Sequence, residues 1–430
     1  MAHCGRMSPD VARVQPRSGS GAWPAWARLA VVAVALPLLA NLLVQITWGL
    51  DAPPKTDFLP FVTGARVLHD DPSCAYCLDT QASEQASILG YVPSAGFPKP
   101  FVNPPLVALA LQPLSGLPLR TGLTVLIVLL LLTVAFSARL VDRLLPRTWP
   151  AALKLLLIAV AVLSLPAATA LGLAQWAPLL LLCALGAIAA LRANRPIVAG
   201  LLLSVLVIKP QTVWLVLPAL AAAGSWRVLG GFVLGAGGWV GTGLLLVGPG
   251  QMVQWPRLVL ERHVDEAFRT AGLPGIVTSV TGSGQAAFIA AMVLGGLAVV
   301  AAFALRGRLR GRPEIAVALG IAVSLVCAPH VFPDDLMLLT VPAVVLAPRA
   351  PRLAVVSMLG LSVAYQVDGH LPSSLAHLTA VAAAVVAAGA LATLLPRQWR
   401  PGAWRGGLGA GVGGAGARPA AAVEAATPAP

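Results

Sequence analysis

Long apolar runs separated by short polar breaks cover the chain from residue 27 to residue 395. Runs near or above the ~20 residues that cross a bilayer recur along that length. They predict twelve membrane helices, at 27–49, 103–116, 119–140, 151–166, 175–191, 197–222, 228–248, 286–305, 314–328, 333–347, 353–367 and 375–395. The first run follows a basic lead containing Arg6, Arg13 and Arg17. It continues without a small-residue cleavage site, so it reads as an anchor rather than a removed signal peptide. The chain divides into a basic N-terminus (1–26), a membrane domain (27–396) and a Gly-, Ala- and Pro-rich tail (397–430) that cannot bury a core.

Composition excludes a water-soluble protein: 58% of the 430 residues are hydrophobic and 10% charged, against roughly 25% charged in soluble domains. The fold class is therefore all-α and polytopic. The net charge of +13 comes largely from arginine tracts between apolar runs, such as Arg306, Arg308, Arg310 and Arg312. No basic domain interleaved with aromatics exists, so this charge belongs to a membrane surface rather than to a nucleic-acid partner.

With the basic N-terminus inside, the twelve spans send 50–102, 249–285, 329–332 and 368–374 outside. Twelve of the sixteen acids then lie on the outer side. Two basic loops oppose the positive-inside tendency in this scheme, one with Arg139, Arg143 and Arg147, the other with Arg192 and Arg195. The run at 103–116 is short, and a re-entrant segment there changes the parity of every helix after it.

Asp57 stands just after the first span, at the head of the longest polar segment (50–102). A carboxylate there is a candidate general base, with a solvated loop acid as the alternative. Phe58, Phe61, Val62, Ala65 and Leu68 recur at helical spacing, which predicts an amphipathic helix over 57–69, and a second helical piece follows at 80–89. Cys74 and Cys77 lack the second pair or nearby histidines of a zinc site; a disulfide and two free thiols both fit. Lys209 interrupts an apolar run, at a cost of at least ~2.5 kcal/mol at a helix centre, so it calls for a partner, a phosphate or a buried acid, unless it snorkels to the interface. His330, Asp334 and Asp335 gather at the outer edge of a later span, and Gln175 is a further polar residue within the bundle.

Taken together, Asp57-Phe58, Gly64 to Leu68, Asp71-Pro72, Asn103-Pro104-Pro105-Leu106, Lys209-Pro210-Gln211 and Pro329-His330 to Asp335-Leu336 resemble the ordered motifs of glycosyltransferase family 87. The resemblance spans 50–345. It implies a GT-C-like bundle that transfers a sugar, mannose or in some members arabinofuranose, from a polyprenyl-phosphate donor. The acceptor is a glycolipid or cell-envelope glycan, and the active site faces outward from a bacterial plasma membrane. Two departures bear on sugar and acceptor: Asn103 replaces the family's usual Tyr, and Cys74 to Cys77 form an insertion.

The donor chemistry needs a base for the acceptor hydroxyl and positive charge for the departing phosphate. Asp57 is expected to be the base, with Lys209, Arg66 and His330 at the phosphate. Asp334, Asp335, Asn103 and Gln211 are expected at sugar or acceptor, with Trp255, Arg257, Glu261 and His263 on the acceptor loop. Neither cofactor nor metal is expected, because the lipid-linked sugar is itself a substrate with a good leaving group. The alternative from another class is a transporter or lipid flippase built around the intramembrane Lys209.

Overall fold

The structure, a computed structural model, describes residues 25–92, 99–265, 270–355, 357–358, 381–382 and 384–389. The N-terminal 24 residues, the tail at 397–430 and most of the two last expected spans lie outside the described residues.

The described elements are helical. In chain order they are α1 (Ala25–Asp51), α2 (Phe58–Asp70), α3 (Leu78–Leu89), α4 (Pro105–Ser115), α5 (Leu119–Leu144), α6 (Ala151–Leu163), α7 (Leu165–Gly172) and α8 (Ala177–Arg192). Then come α9 (Pro196–Ser204), α10 (Val216–Ala222), α11 (Trp226–Asp265), α12 (Leu273–Thr281), α13 (Gly284–Ala304), α14 (Arg306–Leu309), α15 (Pro313–Cys327) and α16 (Thr340–Leu346). A 3-10 segment, Pro333–Leu339, leads into α16. The helix expected at 57–69 is α2, and the piece expected at 80–89 is α3.

Among the described residues five stretches are long and apolar enough to cross a bilayer, Ala27–Asp51, Leu119–Leu144, Ala151–Gly172, Trp226–Glu261 and Gly284–Ala304, where ten of the twelve expected spans fall. Large apolar side chains stand exposed on all five, for example Leu36, Leu129, Leu155, Leu245 and Leu297. On a water-facing surface such belts would be a liability; here they face lipid.

The remaining apolar runs are shorter helices, and contacts at their ends show why. Helix α4 has 11 residues, about 16 Å of helix, half a hydrocarbon core. Its first residues follow the loop that carries Asp57, and its last returns to it: Arg66 on α2 donates to the Ser115 carbonyl at 3.0 Å, and Asp51 pairs with Arg120 at 3.3 Å. The run at 103–116 is therefore re-entrant, a correction to the twelve-span scheme.

A second correction follows at 197–222. Arg192 at the end of α8 donates to the Leu144 carbonyl at 2.6 Å and pairs with Glu314 at 3.0 Å, while the Gly311 amide donates to the Ala223 carbonyl. Those contacts put the start of α9 and the end of α10 at the same end of the bundle, so the segment is a hairpin. Its apex is set by Lys209 (φ −128°, ψ 80°) ahead of Pro210. Proline has no amide hydrogen and forces its predecessor out of the helical region. The amide of Leu215 beyond the break finds a partner in Ser324 Oγ of α15 at 3.2 Å, as a backbone donor at membrane depth must.

The two re-entrant pieces change parity twice, so the later helices keep their expected directions while the loops between them change ends. The turns after α5 and α8, with Arg147 and Arg195, now join the Arg306–Arg312 loop at one end. The conflict with the positive-inside tendency disappears. Asp51, Asp57, Glu84 and the Asp334–Asp335 pair occupy the other end.

Candidate active site

The Asp57 site is built from three converging segments. The first comes off α1. Asp57 occupies the N-cap of α2, where a carboxylate ordinarily accepts from the first free helix amides. Here it makes no capping bond; Thr56 Oγ1 instead accepts from the Phe58 amide at 3.3 Å. The carboxylate is left for other partners, with its side chain 28% exposed.

The second segment is the turn after α7. Gln175 N–H donates to the Ala170 carbonyl at 2.7 Å and Ala174 N–H to the Leu171 carbonyl at 3.2 Å. This is the 6→1 and 5→2 pattern that closes a helix through a left-handed residue, usually glycine. The left-handed residue is Ala174, at φ 59°, so the turn holds a conformation its side chain disfavours, as functional turns often do. Its product is a buried Gln175 whose amide donates to Asp57 Oδ2, while the Asp57 amide donates to the Leu173 carbonyl at 3.0 Å. The segments meet because α1 crosses α7 at paired glycines. A Cβ on Gly49 would lie 2.2 Å from the Gly172 carbonyl oxygen.

The third segment is the extended chain at 99–103, which has no helix to satisfy its backbone and is held by side chains instead. Gln85 brackets the Lys99 backbone and Gln81 accepts from the Phe101 amide at 2.7 Å. Tyr76 donates its hydroxyl hydrogen to the Asn103 carbonyl at 2.7 Å and Trp255 donates to the Val102 carbonyl at 2.8 Å. Phe101 packs over Gly64, where a Cβ would meet its ring at 2.4 Å. Cys74 and Cys77, beside Tyr76, are joined as a disulfide. The consequence is a fixed Lys99, whose Nζ donates to the Lys55 carbonyl at 2.6 Å and lies 3.9 Å from Asp57 Oδ1.

Protein crowding around Asp57 raises its carboxyl above the ordinary aspartate range. The Lys99 ammonium opposes this, Asp334 adds to it, and Lys209 and the Gln175 hydrogen bond oppose it, without cancelling the burial. Asp334 and Lys209 thus lie within electrostatic reach of Asp57, which is the convergence the sequence could not show.

Lys209, at the hairpin apex, meets Asp334 Oδ2 and Asp335 Oδ1, each at 2.7 Å. All three residues are buried. Of the two partners open to Lys209 in the sequence, the structure supplies the buried acids. Asp335 also accepts from the Phe332 amide at 3.0 Å, so both its oxygens are engaged. The two carboxylates expected at sugar or acceptor are thus the ones that bind Lys209. Helix α7 packs against the 3-10 segment that carries them, which ties this cluster to the Gln175 turn.

His330 is buried close by in sequence, its ring edge-on to Phe332 at 4.2 Å. Arg66 is not brought to Asp57. It lies nine residues along α2, roughly 13 Å of helix, paired with Glu84 at 3.2 Å. Asn103 is buried, Gln211 lies in a 3-10 turn beside Lys209, and Arg257 and Glu261 are exposed on α11. The His263 side chain lies outside the described residues. Lys99 was missed by sequence reasoning; the signal for it was a lone lysine in the proline-rich approach to α4.

Curated proteins and solved structures give no match. The sequence model of glycosyltransferase family 87 matches residues 101–329, more than half of the chain. That range takes in Asn103-Pro104-Pro105, the Lys209 hairpin and α15, and ends where the Asp334–Asp335 segment begins. This membrane protein belongs to glycosyltransferase family 87.

Proposed function

We propose that the protein transfers a sugar, mannose or arabinofuranose, from a polyprenyl-phosphate donor to a glycolipid or cell-envelope glycan. Asp57 is the base. The observation that carries this reading is a carboxylate spared from capping its own helix, with Gln175 on one oxygen and Lys99 beside the other. A base near the operating pH is a better proton acceptor than an ordinary aspartate, and burial moves Asp57 that way.

In the reaction the acceptor oxygen attacks the anomeric carbon as its proton passes to Asp57. The bond from that carbon to the phosphate oxygen breaks, and polyprenyl phosphate leaves from the opposite face. The anomeric configuration inverts. Two carboxylates facing one ammonium leave no surplus positive charge at Lys209. Lys99, with its side chain 33% exposed, is the better placed cation for the departing phosphate. Lys209 retains one N–H beyond the two it spends on Asp334 and Asp335, and it fixes the hairpin under the site; His330 is a further donor toward phosphate or sugar.

An outward-facing site in a bacterial plasma membrane is supported by the arginine loops gathered at the end opposite Asp57. The test is transfer from a labelled polyprenyl-phosphate sugar by the purified protein in proteoliposomes. Transfer by the wild type and its loss in Asp57→Asn is the expected result. Full activity in Asp57→Asn sinks the base assignment.

A further inference from the structure

At the arginine end, remote from Asp57, a cavity of about 670 Å³ opens between the α10–α11 turn and the α13–α15 loop. Its floor is Ala221 to Ala223; its rim carries Ser225, Trp226, Arg306 and Arg310. Arg310 follows Arg306 by one helical turn, its amide donating to the Arg306 carbonyl at 3.0 Å. The two guanidinium groups therefore share a face, an arrangement that destabilises a helix unless an anion lies between them. Among the described residues no carboxylate pairs with either; Glu314, the acid of this loop, pairs with Arg192 instead. Helix α11 begins at Trp226 on the same rim, adding the favourable end of a helix dipole.

We infer that this cavity binds a phosphate anion, and that its source is the headgroup of an anionic phospholipid in the adjacent leaflet. Paired arginines match the geometry of a phosphate group. Trp226, 69% exposed at the start of a membrane-crossing helix, is placed as an interfacial anchor. Phe303 and Val300, 45% and 67% exposed on the last turns of α13 before Arg306, offer apolar surface to an acyl chain, which a free phosphate would not use.

The test is native mass spectrometry of the full chain in detergent, titrated with phosphatidylglycerol, with phosphatidylcholine, and with phosphatidylglycerol plus excess inorganic phosphate. Phosphatidylglycerol should be retained in preference to phosphatidylcholine and survive inorganic phosphate. Arg306→Gln/Arg310→Gln should weaken its retention roughly thirtyfold, about fivefold for each arginine. Arg349→Gln/Arg352→Gln, at exposed positions of the same end, should change it little. Equal retention of the two lipids overturns the site, and so does equal loss in both double variants, which would mean a diffuse surface charge. Complete displacement by inorganic phosphate overturns the lipid as its source. A circular-dichroism melt matching the wild type shows that the Arg306→Gln/Arg310→Gln protein is folded.

Discussion

Replacing Lys209 with Met and Asp334 with Asn should have very different costs, although each removes one charge from the same buried cluster. Lys209→Met keeps the volume but strips Asp334 and Asp335 of their shared cation. Two charge-assisted hydrogen bonds are lost, each ordinarily worth about 1.5–3 kcal/mol, and two buried carboxylates face each other uncompensated. Breaking a buried pair by removing one partner costs about 3–5 kcal/mol, and this variant should lie at or above the top of that range. Asp334→Asn leaves Lys209 paired with Asp335, which retains its Phe332 amide bond, and relieves repulsion between adjacent carboxylates. Its cost should be about 1–2 kcal/mol, one ion–ion hydrogen bond weakened to one between the ammonium and a neutral acceptor. Equilibrium unfolding in mixed micelles, followed by tryptophan fluorescence, would measure both. The triple variant Lys209→Met/Asp334→Asn/Asp335→Asn should recover much of the loss. Equal costs for the two single variants, or a Lys209→Met protein as stable as the wild type, would refute the claim that this ammonium is what the two carboxylates require.

Other outcomes follow from the same geometry. Asp57→Asn should lower transfer by about 10²–10⁴-fold, the usual worth of a general base, in a proteoliposome assay normalised to folded protein. Because the folded value of Asp57 lies above the unfolded one, its ionisation costs stability as pH rises between them, so Asp57→Asn should be at least as stable as the wild type at neutral pH. The acid limb of the pH–rate profile should lie above the ordinary aspartate range. It should move further up in Lys99→Gln and in Gln175→Ala, since both native groups hold the carboxyl down; a downward shift in either would contradict the arrangement. Gly49→Ala forces a methyl into the Gly172 carbonyl and should cost about 1–3 kcal/mol, with transfer falling because the Gln175 turn is displaced. Wild-type melting and activity in that variant would show that the crossing is not the support proposed.

The hydrophobic pattern by itself determined that the chain is a membrane-embedded helical protein, because apolar runs of that length and a 10% charged content have no other stable home. It also placed the structured segment after the first helix, Asp57 at its head, and an intramembrane lysine in need of a partner. The pattern could not separate a run that crosses from one that enters and returns. Residues 103–116 and 197–222 are apolar on either account, and only the contacts of Arg66, Asp51, Arg192 and Gly311 decide which ends they share. Partner choice was equally invisible. Lys209 finds Asp334 and Asp335 across more than a hundred residues, and Gln175 reaches Asp57 only because two glycines let α1 and α7 meet. Lys99 belongs to the site through glutamines that hold its backbone, an arrangement with no local signature. Apolar periodicity reports which surfaces avoid water, whereas the pairing of polar groups depends on which helices pack, and that was settled only in three dimensions.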